Sequence, residues 1–214
     1  MAQKILIWIF KLPLLLLVLL TTTALAQPPQ LVKDYYTNGA LKSEGEMVSG
    51  VKNGKWIYYF PNGVRMGEEE YQNGQMNGAF KSYDEQGNLR LLENWANGVQ
   101  EDSAKEFYAN GLIKRKGVYH YGLYQGIWIA YHENGKLKTK GNYTDGDPTG
   151  IWYFYDEKGV LEHEATYVKG EKNGPAKLYN EKGQLYSSGN FVNGEQKGEW
   201  LMYKKGKVVK KVNY

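Results

Sequence analysis

The 214-residue chain contains no cysteine. Disulfides, thiol catalysis and thiolate metal sites are therefore excluded, and the fold must hold by packing and backbone pairing. Charge of one sign is scarce as well. Twenty-seven basic residues face 23 acidic ones, and this balance lacks the pronounced basic surface that nucleic acid asks for. Histidine is rare: His120, His132 and His163 sit at unrelated points of the pattern described below. None forms the i, i+4 pair of a helical zinc site, so they read as solvated strand or turn residues. Long apolar runs are missing too. The one near the start is interrupted by Lys11 and Pro13 and falls short of the ~20 residues of a spanning helix.

That opening segment has its own order. Lys4 and Lys11 occur without any acid, residues 12–20 are apolar apart from Pro13, and Ala24-Leu25-Ala26 precedes Gln27. A basic start, an apolar middle and a small-residue cleavage site make a secretory signal peptide. Cleavage after Ala26 is expected, rather than retention as an anchor. A bacterial lipoprotein anchor is excluded, because no cysteine follows the apolar run. Two lysines leave with the leader, and the remaining 25 basic against 23 acidic residues give a net charge of +2.

What the rest of the chain has is a period. Tyr35, Tyr59, Tyr83, Phe107, Tyr131, Tyr155, Tyr179 and Tyr203 recur every 24 residues without insertion or deletion. Gly39 to Gly183 and Gly50 to Gly194 repeat at the same interval, as does the series Met47, Tyr71, Trp95, Tyr119, Tyr143, Tyr167, Phe191. A fixed period of this length is the mark of a repeat architecture. Each unit contains two turn signals, such as Pro61-Asn62-Gly63 and Asn73-Gly74, and two short aromatic or aliphatic runs. Two antiparallel strands per repeat follow.

The expected fold is an all-β, elongated array of seven β-hairpin repeats, a twisted meander of fourteen strands extending about 65 Å at ~4.8 Å per strand. The expected divisions are a signal peptide over 1–26, a short linker over 27–34, the repeats over 35–203 and a capping half-repeat over 204–214. In the fifth repeat Leu137, Thr139, Gly141 and Tyr143 alternate with Lys138, Lys140 and Asn142, the pattern of a half-buried strand. The inner-row glycines, Gly45, Gly117, Gly141 and Gly189, leave a gap that a neighbouring ring can cover.

The units YFPNGVRMGEEEYQNGQMNGAFKSY, YHENGKLKTKGNYTDGDPTGIWYFY and YNEKGQLYSSGNFVNGEQKGEWLMY resemble the bacterial variant of the MORN repeat, in families often labelled antitoxin components of toxin-antitoxin systems. The resemblance covers essentially all of the chain beyond the leader. It implies a hairpin array that serves as a scaffold for protein contacts and, in some eukaryotic relatives, is proposed to touch phospholipid. It supplies no catalytic residue. An antitoxin meets its toxin in the cytoplasm, whereas the leader directs this chain out of it. Gly54 to Tyr59 is also similar to the cell-wall choline-binding repeat, but the longer unit with its Y-x-x-x-G-x-L half sets this chain apart. Departures are local: Asp102 replaces a repeat glycine, Ala104 and Ala176 replace the Trp or Phe, and Arg65 replaces Leu. They mark either weaker packing or places where a partner supplies the ring.

Little in the pattern points to chemistry. Ser187-Ser188 has no nucleophile elbow. Glu68 with Glu70, and Glu162 with Glu164, fall on the outward face, where solvent denies paired carboxylates the desolvation that separates acid from base. No cofactor, metal or nucleic acid is implied, and no enzyme is expected. Binding remains. Trp56, Trp128, Trp152 and Trp200 hold one repeat position, as a packing row or as a row that stacks on glycan or sits at a lipid interface. Lys114 and Lys116, Lys138 and Lys140, and the lysines after Tyr203 are solubilising charge or patches for anionic lipid or polysaccharide. The expectation is an exported scaffold for an envelope protein, in the periplasm, at the outer-membrane periphery or outside the cell. The alternative is an envelope glycan- or anionic-membrane-binding module.

Overall fold

The computed structural model describes residues 28–214, so the leader expected over 1–26 lies outside the described residues. Eighteen antiparallel strands form one open sheet and no helix occurs among the described residues. The first six are β1 (Gln30–Tyr35), β2 (Leu41–Val48), β3 (Val51–Tyr59), β4 (Arg65–Gln72), β5 (Gln75–Met76) and β6 (Gly78–Tyr83). Then come β7 (Leu89–Ala96), β8 (Val99–Gln100), β9 (Asp102–Phe107), β10 (Ile113–His120), β11 (Leu123–Tyr131) and β12 (Leu137–Thr144). The array closes with β13 (Asp147–Tyr155), β14 (Leu161–Val168), β15 (Glu171–Tyr179), β16 (Leu185–Val192), β17 (Glu195–Lys204) and β18 (Lys207–Asn213).

β5 with β6, and β8 with β9, are halves of broken strands, since β4 pairs with both of the first and β7 with both of the second. Sixteen strand positions result, two more than the fourteen of seven hairpins: the expected linker over 27–34 is mostly β1, paired along β2 from Gln30↔Met47 to Tyr35↔Leu41, and the closing half-repeat adds β18. At ~4.8 Å per step the array is roughly 72 Å long. β18 pairs with β17 from Glu199↔Asn213 to Lys204↔Lys207.

Two kinds of turn punctuate the sheet. At one edge Asn73 and Gly74 take φ of 51° and 81°, the doubly positive pair of a type I′ hairpin turn, whose twist matches that of the strands. The equivalent pairs Asn97-Gly98, Asp145-Gly146 and Asn193-Gly194 do the same. Each of these glycines donates its N–H one repeat back, as from Gly74 to the Lys52 carbonyl at 2.9 Å and from Gly146 to that of Tyr124 at 3.0 Å. At the opposite edge the link runs forward. Asn62, Asn110 and Asn134 donate side-chain N–H groups to the carbonyls of Glu85, Glu133 and Glu157. Both edges thus tie each repeat to its neighbour, in addition to the strand ladder.

The recurring tyrosine occupies a register shift. Tyr59, Tyr83, Tyr131, Tyr155, Tyr179 and Tyr203 each follow an irregularity in the pairing with the next strand. Such bulges re-aim a side chain, which is why period-two alternation stops one residue before every repeat boundary.

Candidate functional site

Each face of the single sheet is built from one set of alternating positions. On the first face Trp56, Trp128, Trp152 and Trp200 each lie over the glycine of the preceding strand. Indole atoms come within 2.0–2.5 Å of where a Cβ would stand on Gly45, Gly117, Gly141 or Gly189. Only glycine permits that approach. The indole N–H donates to a main-chain carbonyl beside the same glycine: Trp56 to Glu46 at 3.0 Å, Trp128 to Val118 at 3.0 Å, Trp152 to Asn142 at 3.2 Å and Trp200 to Asn190 at 3.2 Å. Tyr119, Tyr124 and Tyr143 then pack edge-on against Trp128, with centroids 5.2, 4.5 and 6.4 Å away.

This arrangement corrects the reading of the Trp row as a ligand platform. The four indoles are only 0–8% exposed, and a ring that already covers backbone has no face left to stack on a sugar. They are the core of a thin sheet. The two alanines that replace a repeat aromatic are packed as well. Ala104 is buried in one cluster with Tyr119 and Trp128, and Ala176 in another with Ala165 and Trp200. Asp102 adopts φ of 66° at the place where Gly54, Gly126 and Gly150 take 65–68°. No partner is needed to supply a missing ring.

The second face carries the charge. Its N-terminal part holds Glu44, which accepts from the Tyr59 hydroxyl at 2.8 Å and lies 3.1 Å from Lys33. Glu68 comes next, held by Lys55 at 2.6 Å, by Arg65 and by the Tyr83 hydroxyl. The expectation that Glu68 is solvated is wrong. It is 7% exposed, because Lys55, Arg65 and Tyr83 close over it, whereas Glu70 does remain exposed. Burial opposes ionisation of Glu68, but the hydrogen bonds and charges of Lys55 and Arg65 outweigh it and hold the carboxyl below its ordinary value. A carboxylate with a depressed folded pKa adds stability above the unfolded value, which is lost as pH falls through the folded one. Glu68→Gln is therefore expected to flatten the stability profile below pH 4.5, measured as urea midpoints from pH 6 to pH 3. An unchanged acid limb would refute it.

The proposed basic contacts divide. Lys114 lies 2.7 Å from Glu106, which also binds Arg115 at 2.6 Å; it belongs to a structural ion pair. Lys116 reaches over the Tyr131 ring at 5.8 Å. Lys138 and Lys140 are exposed. Sequence reasoning missed Lys81 and Lys105, which the register brings into line with Lys116 and Lys140. Lys81 pairs with Leu92, Leu92 with Lys105, Lys105 with Lys116, Lys116 with Ile129 and Ile129 with Lys140. Among the described residues none of these four lysines makes an ion pair. The available signal was the 24-residue spacing within each pair, Lys81 with Lys105 and Lys116 with Lys140.

Two of the histidines are less solvated than expected: His132 bonds the Tyr155 carbonyl at 2.8 Å and His163 stacks on Phe154 at 4.2 Å. His120 contacts Glu101 at 2.6 Å and remains exposed. Burial pushes the His163 pKa down, assisted by Lys172. His132 takes the same place as Tyr36 and Tyr108, whose hydroxyls bond the Tyr59 and Tyr131 carbonyls; all three are inter-repeat fasteners. Among the described residues no group of three or more His, Asp or Glu is arranged to hold a metal ion.

Among curated proteins no relative matches the chain. Solved structures similar to parts of it include the Photorhabdus luminescens Tc holotoxin pore, at 15% identity and a TM-score of 0.25 over 86% of this chain and 12% of that one. The TcdB2-TccC3 structure matches at 12% identity and a TM-score of 0.18 over 82% of this chain and 14% of that one. This chain thus spans about an eighth of the length of those two. A Bacteroides fragilis protein of unknown function matches at 13% identity and a TM-score of 0.12, over 79% of this chain and 97% of its own. The MORN repeat variant family matches five separate segments: residues 52–73, 76–97, 124–145, 148–169 and 172–193. With the hairpin pairing and the glycine-seated rings repeated along the sheet, these segments establish that the chain belongs to the MORN repeat variant family.

Proposed function

We propose that the chain is an exported, non-enzymatic scaffold that binds a partner protein in the cell envelope through the sheet face opposite the Trp row. The observation that carries this reading is the division of labour between the faces. One face spends its large rings on its own packing. The other leaves aliphatic side chains and cations in the open, among them Ile127 and Ile151, each at least half exposed. Unpartnered apolar area beside charge is the composition of an interaction surface. Export is supported by the leader-like order of residues 1–26. Stacking on glycan loses its support with the burial of the Trp row.

A photo-crosslinking amino acid placed at Ile127 or Ile151 in the full chain, in cells, tests the reading. The expected result is a discrete crosslinked protein in the envelope fraction, absent when the probe is moved to Lys172 on the Trp face. Absence of any protein adduct at both second-face positions would overturn the scaffold. Recovery of the chain in the cytoplasmic fraction alone would overturn export.

A further inference from the structure

The line of residues from Lys81 to Lys140 is unlike the rest of its face. Further toward the N-terminus the same line holds Glu44 and Glu68, each paired with a lysine, and toward the C-terminus it holds Glu164, 2.6 Å from Lys177. Between them the line holds no acid, and Glu68, which stands opposite Lys81, is already paired with Lys55 and Arg65. Lys105 and Lys116 are direct cross-strand neighbours, a placement that repels and destabilises a sheet. Beside them Val118 and Ile127 are exposed, and with Ser103, Lys105, Lys116 and Ile129 they line a shallow groove of about 310 Å³. Its β9 and β10 side lies in residues 98–123, between two segments that match the family and where Asp102 and Ala104 depart from the repeat, and its β11 side, Ile127 and Ile129, lies in the matched segment 124–145.

We propose that this groove binds an acidic, extended polypeptide segment laid across the strands, its carboxylates over Lys81, Lys105, Lys116 and Lys140 and its apolar side chains against Val118, Ile127 and Ile129. The inference rests on the scaffold reading and gives the partner its chemistry. From Lys81 on β6 to Lys140 on β12 there are five strand steps, roughly 24 Å at ~4.8 Å each. An extended chain rises ~3.3 Å per residue, so about eight residues cover that length. Alternate residues of such a segment point to one side at ~7 Å intervals, which lets carboxylates and aliphatic groups share the contact. The charge is complementary, and carboxylates would remove the repulsion between Lys105 and Lys116. A single file of cations suits a linear ligand better than a membrane plane, which would bring the exposed Glu70 and Glu162 against anionic headgroups.

The test uses the full chain and two probes: a fluorescein-labelled nine-residue peptide in which pairs of glutamates alternate with pairs of valines, so that either side of the extended chain carries both, and vesicles of phosphatidylglycerol and phosphatidylcholine in equal parts. The expected result is salt-sensitive peptide binding, weakened at least ten-fold by Lys105→Glu with Lys116→Glu and restored when the peptide carries lysine in place of glutamate. Lys105→Gln with Lys116→Gln, which removes charge without reversing it, should weaken the glutamate peptide less, with the thermal midpoint unchanged or raised. No peptide binding, or equal binding by the charge-reversed variant, overturns the proposal. Lysine-dependent binding of vesicles without binding of peptide overturns it in favour of lipid. The Ile127 crosslink separates the two levels. If the envelope adduct persists in the charge-reversed variant, the acidic segment is wrong and the scaffold stands. If peptide binds but no adduct forms in wild type, the scaffold fails and the acidic-segment site stands.

Discussion

Gly141→Ala is expected to destabilise the array by about 3 kcal/mol, the upper part of the usual range for overpacking. The added methyl would stand 2.0 Å from the Trp152 indole, and the ring cannot retreat without giving up its hydrogen bond to the Asn142 carbonyl. Trp152→Ala alone should cost about 3–5 kcal/mol, as for other large aromatic truncations. The informative measurement is the double substitution. The chain already contains its likeness in Ala165 and Ala176, which face one another across the ladder and are each 2% exposed. Once the indole is gone, the methyl at position 141 fills space instead of invading it. The double variant should therefore be no less stable than Trp152→Ala, a coupling of about 3 kcal/mol between the sites. Urea denaturation followed by far-ultraviolet circular dichroism decides, and simple additivity would sink the interpretation.

The second large effect is expected at the far end of the sheet. Trp200 has no exposed surface, meets Phe191 edge-on at 5.4 Å and Tyr214 at 6.2 Å, and stands opposite Val212 in the terminal pairing. Trp200→Ala should cost about 3–5 kcal/mol. Because a repeat contacts only its neighbours, the loss should stay local. β18 has one strand partner, β17, so its amides should lose hydrogen-exchange protection at least ten-fold. Amides of β11 and β12 should be unaffected. Unchanged protection across residues 207–213 would show that strand pairing, not the indole, holds the closing strand.

Much of this architecture was legible because it depends on spacing. Asn-Gly and Asp-Gly pairs at a fixed interval dictate turns, and a glycine eleven places before a Trp, as Gly141 before Trp152, marks a seat for a ring. The face of each side chain was legible only as far as the next register shift. Alternation along β13 predicts that Tyr155 leaves the side of Trp152, but the irregularity after Phe154 breaks the count there. Burial of Glu68 was illegible for a related reason. Its partners Lys55 and Tyr83 lie on neighbouring strands, and their distance in sequence reveals nothing until the pairing is known. The row of lysines was hidden because Lys81 and Lys105 come from the second strand of their repeats and Lys116 and Lys140 from the first. Strand pairing, not periodicity, merges the two series.

The seating of each Trp also bears on how such a chain avoids error and how it can grow. Near-identical hairpins invite mispairing by a whole unit, yet the pairs here differ: Gly117 with Trp128, Glu93 with Ala104, Ala165 with Ala176. A slip by one unit from Ala165 would press a methyl into an indole, so unlike neighbours act as a proofreading code against off-register assembly. Both members of a pair belong to one hairpin. A duplicated segment therefore arrives with its own matched halves, and the array can lengthen through evolution without redesign of the units beside it.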